Sequence, residues 1–176
     1  MEILFYILLA FGAYLFFAFV LLRLVAPFMG FRLNWPVVQV PIEIKQAVKS
    51  LEDGSDGQAS FLRNLYLFVL EKNKTQWSHS RGRAAIMLPR LFVKDLNEIW
   101  KTKKFVYCNA INYVAYVMLV QSKYFKPDDI KVRHVFLNFV PHQYLQVKLE
   151  GKWLDFDPAG SGIRGGSLGT HASFFG

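Results

Sequence analysis

The chain has 176 residues, of which 53% are hydrophobic and 16% aromatic, so it carries ample material for a packed core and is not a disordered polymer. A single cysteine, Cys108, excludes an internal disulfide and a cysteine-based zinc cage. The net charge of +8 is concentrated: Lys72 to Lys104 holds nine basic residues against Asp95 and Glu98, a local net of +7, and it leads directly to the cysteine. Such a field attracts acidic partners, anionic lipid headgroups or nucleic acid, and favours a thiolate nearby.

In chain order, ILFYILLAFGAYLFFAFVLL (Ile3 to Leu22) has no charged residue, and twenty apolar residues at about 1.5 Å each match a hydrocarbon core about 30 Å thick. It lacks the basic start and small-residue cleavage site of a signal peptide, so residues 1–25 predict a retained, single-pass transmembrane anchor. Arg23 and Arg32 after the span, against Glu2 before it, lean the body towards the cytoplasm. Pro27, Gly30, Pro36 and Pro41 predict an extended tether over 26–41.

The body is predicted over 42–160. IEIKQAVKSLEDG reads as a short amphipathic helix, ASFLRNLYLFVLEKN as a second with a strongly apolar face, Asn73 to Arg83 as a basic loop, and LFVKDLNEIWKT as a third short helix. Cys108 then opens a helix so apolar from Ala110 to Val120 that it must be buried on most sides. A cysteine in a first turn meets the positive end of the helix dipole and unsatisfied N–H groups, which favour its thiolate and can cradle an oxyanion.

IKVRHVFLNFV and HQYLQVKLEGKWLDFDP alternate in the manner of strands, and the second reads as a hairpin. A two-residue Glu150-Gly151 turn sets Leu149 opposite Lys152 and Gln146 opposite Asp155, which leaves Asp157 within a diagonal step of His142. A thiol at a helix start, a histidine and an acid on paired strands are the parts of a nucleophile, base and orienter. Cys108 would attack an acyl carbon, His142 would carry the proton, and Asp157 would hold the imidazole.

The residues YCNAINYVAY and HQYLQVKLEGKWLDFDP, with Cys108, His142, Tyr144, Gly151, Trp153, Asp157 and Pro158 in that order, resemble the transglutaminase-like superfamily over about residues 42 to 160. The resemblance implies an α+β, papain-like core in which a buried cysteine helix packs on an antiparallel sheet. It also implies hydrolysis or acyl transfer at peptide or side-chain amides through a thioester. Tyr144, Trp153 and Asn109 are the candidate substrate-binding residues, the first as an aromatic wall, the last as a neighbour of the nucleophile.

Other features have plainer readings. His134 reads as a strand residue and His171 as a loop residue in the Gly/Ser-rich tail 161–176, whose composition predicts flexibility, with folding over the site as the alternative. Trp77 and Trp100 read as core or rim packing. The histidines are scattered and GSGIRGG lacks the context of a phosphate loop, so neither metal nor cofactor is expected. The expected partners are a protein or peptide substrate, the membrane through the first helix and an acidic partner, with nucleic acid not expected. The alternative is a non-catalytic basic binding module with the same fold at the membrane surface.

Overall fold

The computed structural model describes residues 2–17, 20, 24, 26, 28, 39–78, 89–102, 106–137, 140–164 and 167–173. Helices α1 (Glu2–Phe16), α2 (Ile42–Asp53), α3 (Gln58–Ser78), α4 (Leu96–Lys101) and α5 (Cys108–Gln121) precede strands β1 (Ile130–Leu137), β2 (Val140–Leu149) and β3 (Lys152–Phe156); α6 (Pro158–Arg164) follows. The architecture is α+β, with a three-stranded antiparallel sheet in the order β1-β2-β3.

The membrane span expected over residues 1–25, and with it the single-pass localisation, is overturned. Helix α1 has 15 residues, about 22 Å at 1.5 Å each, short of a hydrocarbon core of about 30 Å. Among the described residues no helix is long and apolar enough to cross a membrane. The hydropathy of Ile3 to Leu22 counts apolar residues and is blind to where α-helical hydrogen bonding stops; here Phe17 already passes into π-type geometry. Residues 18, 19, 21–23 and 25 of the expected span, and most of the expected tether, fall outside the described residues.

The core gathers around α5, where Asn109 through Leu119 are all buried. Ile44 and Val48 of α2, Phe61, Leu62, Leu65 and Val69 of α3, and Leu145, Val147 and Phe156 of the sheet close on it. The spacing of the α3 residues is that of one helical face, which is why this helix docks there. Helix α3 runs on to Ser78 through the first part of the segment expected as a loop. Asn73, read as a loop residue, instead turns its side-chain amide back onto the Val69 carbonyl at 2.7 Å. The third expected helix is shorter than its pattern: a 3-10 turn occupies 89–92, and α4 begins only after Asp95, whose carboxylate accepts the Asn97 N–H at 2.8 Å as a helix cap.

In the β2–β3 hairpin Leu149 stands opposite Lys152, Gln146 opposite Asp155 and Leu145 opposite Phe156. The turn is Glu150-Gly151, with φ of +50° and +81°, the left-handed pair that a two-residue connection between twisted strands requires. Alternation then gives the sheet two unlike faces. Leu145, Val147 and Phe156 point to the core; His142, Tyr144, Gln146 and Asp155 share the other face with Lys131 and Arg133 of β1.

Candidate active site

Cys108 is the first residue of α5, following Tyr107, whose extended backbone breaks the helix and whose carbonyl takes the first helical bonds from Ala110 and Ile111 at 3.0 and 3.1 Å. The thiol is part-exposed, at the border between the core and solvent. One turn further along, Asn112 donates its side-chain amide to the Gln143 carbonyl at 2.6 Å, which ties α5 to β2 beside His142. Cys108 lies near the imidazole, close enough for its side chain to bear on the ring's protonation.

His142 is 4% exposed and Asp157 is fully buried. The imidazole Nε2 and Asp157 Oδ2 are 2.8 Å apart, which leaves Nδ1 as the nitrogen free to serve the sulfur. Burial alone would push the imidazole pKa down. Hydrogen bonding to the Asp157 carboxylate and to Cys108, with the charges of both, outweighs it and raises the pKa to about 10. The setting between an acid and a sulfur thus favours the protonated ring.

Asp157 is placed by the chain that follows it. Pro158 opens α6, where a missing N–H costs nothing, and Asp157 Oδ1 accepts the Gly160 N–H at 2.8 Å as an N-terminal cap. The Ala172 N–H donates to Oδ2 at 3.0 Å, so one carboxylate caps a helix, receives a second backbone donor and bonds the imidazole. A Cβ at position 160 would overlap Asp157 Oδ2 and come within 2.6 Å of Ala172 Cβ, so glycine is required there. Ser161 supports the same turn, its hydroxyl donating to the Asp157 carbonyl at 2.8 Å and pairing with the Tyr66 hydroxyl of α3. Burial is the main cause that raises the Tyr66 pKa.

The three residues expected to bind substrate lie in different settings. Tyr144 is 5% exposed, two positions from His142, and stacks on His171 with ring centroids 4.4 Å apart and planes 4° from parallel. Burial, with the Asp155 charge second, lifts its pKa to about 12. Asn109 is 1% exposed and turns inward, its amide donating to the Leu91 carbonyl at 3.2 Å, so it holds the 89–92 segment beside the cysteine. Trp153 pairs with Lys148 and lies under the Lys131 ammonium, 3.8 Å from the ring centroid. From His142 to Lys148 along β2 is roughly 20 Å at about 3.3 Å per residue, so Trp153 stands at the far end of the hairpin from His142.

Trp100 packs on Phe68 and under Lys72, as rim packing, and the Trp77 side chain lies outside the described residues. His171, read as a plain loop residue, bonds Asp155 through Nδ1 at 2.7 Å. Gly160, Ser161 and Ala172 were not singled out in the sequence. The sequence signal for them was Asp157-Pro158 followed by Gly160, the pattern of a helix cap. Of the basic stretch, residues 79–88 and 103–105 fall outside the described residues. No group of three or more His, Cys, Asp and Glu side chains gathers to hold a metal among the described residues.

No protein-family model, curated protein or solved structure matches this chain. Its functional assignment therefore stands on the geometry of the site.

Proposed function

We propose that the domain is a transglutaminase-like cysteine hydrolase or acyltransferase acting on protein or peptide amides through Cys108, His142 and Asp157. The observation that supports it is the buried His142–Asp157 pair at 2.8 Å with the Cys108 side chain near the same ring, at the start of a buried helix. A histidine placed only for packing has no need of both a buried carboxylate and a thiol. The order cysteine helix, histidine strand, acid after the next strand agrees with the resemblance seen in the sequence.

In the first step the Cys108 thiolate forms a bond to the amide carbonyl carbon. The developing oxyanion is stabilised by the positive end of α5, with the Cys108 backbone N–H in its first turn as a donor. His142 gives its proton to the departing amine as the C–N bond breaks, leaving a thioester on Cys108 and a neutral imidazole. Water or a second amine then attacks the thioester carbon, His142 takes the proton from it, and the thiolate leaves. Asp157 keeps the ring in one orientation throughout and stabilises its protonated form.

A generic activated ester, which needs no recognition beyond the thiol itself, tests this. With 4-nitrophenyl acetate the chain is expected to release a burst of nitrophenolate and to carry the acetyl group on Cys108 by peptide mass spectrometry. Cys108→Ala abolishes the burst and His142→Ala slows it by about 10²–10⁴-fold. Acetylation of lysines in place of Cys108, at equal rates in all three proteins, refutes the proposal.

A further inference from the structure

Residues 167–173 run back across the face of the sheet that bears the triad acid and meet it at several points. Thr170 closes a turn onto Ser167, its N–H and hydroxyl bonding the Ser167 carbonyl at 3.0 and 2.8 Å. Within that turn Gly169, at φ +95°, donates its N–H to the Asp155 carbonyl at 2.8 Å, a backbone conformation that glycine adopts without strain. The turn delivers His171, which stacks flat on Tyr144 and bonds Asp155 Oδ2 at 2.7 Å. Asp155 is itself steadied from the other side, by the Gln146 amide at 2.7 Å, and Gln146 by Arg133 at 2.7 Å. The next residue, Ala172, is buried and gives its N–H to Asp157 Oδ2, the same oxygen that bonds His142.

From this geometry we infer that the 167–173 segment is a strap that positions Asp157, with His171 as its anchor. The strap rests on the triad proposed above and deepens it. A carboxylate has two oxygens and four lone-pair directions; Gly160 fixes Oδ1, and Ala172 fixes Oδ2 in the rotamer that meets Nε2. The same segment lies against the acid through Ala172, and Asp157 is fully buried although it follows the last strand. His171 touches no reacting atom. It acts through Ala172, because the ring clamped between Tyr144 and Asp155 fixes the backbone one residue before the donor. The second histidine–aspartate pair, which holds Asp155 two residues before the triad acid, is thus a clasp for the first.

The test uses the full chain and the His142 Nε2–H proton, observed by NMR as a downfield resonance when it is bonded to a carboxylate and sheltered from water. The wild-type chain shows that resonance. In Ala172→Pro, which lacks the N–H, and in His171→Ala, which loses both anchors, its exchange with water rises at least tenfold, and iodoacetamide labelling of Cys108 at pH 6.5 slows by about tenfold, with far-UV circular dichroism unchanged. His171→Phe, which keeps the stack on Tyr144, recovers part of the loss. A resonance absent from the wild-type chain, or one that persists unaltered in the variants, overturns the strap. Where Ala172→Pro does not fold, His171→Ala decides together with the Ala172 amide in the wild-type chain, whose rapid hydrogen exchange also overturns it. Equal labelling rates for wild type and His142→Ala refute the triad instead, while the resonance still reports on the strap.

Discussion

A histidine pKa of about 10 has a consequence for stability as well as for chemistry. The unfolded imidazole releases its proton near pH 6.5 and the folded one near 10, so between these values the folded state binds more protons. The stabilisation is present in full below pH 6.5 and drains away as the pH rises to 10. Chemical denaturation at pH 6 and pH 9.5 is expected to show a lower midpoint at the higher pH, and His142→Ala to flatten that difference; a midpoint that rises with pH contradicts the assignment. At Gly160 the prediction is steric. Gly160→Ala forces Asp157 or Ala172 to move, an overpacked site that costs about 1–3 kcal/mol and loosens the acid, seen as a lower thermal midpoint together with slower Cys108 labelling.

Among the elements, α6 and the hairpin turn carry distinct expectations. Asp157→Asn keeps an oxygen for the Gly160 N–H and so retains the helix cap while losing the charge on His142, whereas Asp157→Ala loses both. The pair separates two roles in one side chain: Asn is expected to stay closer to wild type in thermal stability, by about 1 kcal/mol relative to Ala, while both lose thiol reactivity. Equal stability of the two variants contradicts the capping role. At the turn, Glu150 occupies a left-handed conformation that asparagine tolerates better. Glu150→Asn is expected to raise stability by about 0.5 kcal/mol in urea titration, with no effect on Cys108, roughly 20 Å or more from the turn at about 3.3 Å per residue of strand.

Across the whole molecule, what was legible in the sequence was what local periodicity controls. The alternation in HQYLQVKLEGKWLDFDP, with Gly151 at the break, is enough to set the register of β2 on β3, and the apolar run after Cys108 is enough to bury α5. The stop of α1 at Phe16 was not legible, because hydropathy is insensitive to backbone geometry, and the anchor expected there is withdrawn. The 3-10 turn at 89–92 was missed because its hold on the site comes from Asn109, a contact across 18 positions that no window over the sequence contains. Ser167 to Ser173 has the composition of a flexible tail, yet its bonds to Asp155 and Asp157 reach back 14 or more positions. Trp153 entered the site through the Gly-x-Trp pattern of the resemblance; its partner across the hairpin is Lys148, six positions along β2 from His142, which sets it well away from the histidine.

The proposed reaction rests on Cys108 and His142 acting as a pair steadied by Asp157, and the pH dependence of iodoacetamide labelling at Cys108 tests that pair most directly. Rapid labelling is expected already at pH 6, where an unassisted thiol is almost wholly protonated. A fall of tenfold or more is expected in His142→Ala at the same pH. Labelling that is slow at pH 6, climbs only above pH 8 and is indifferent to His142→Ala would contradict the pair.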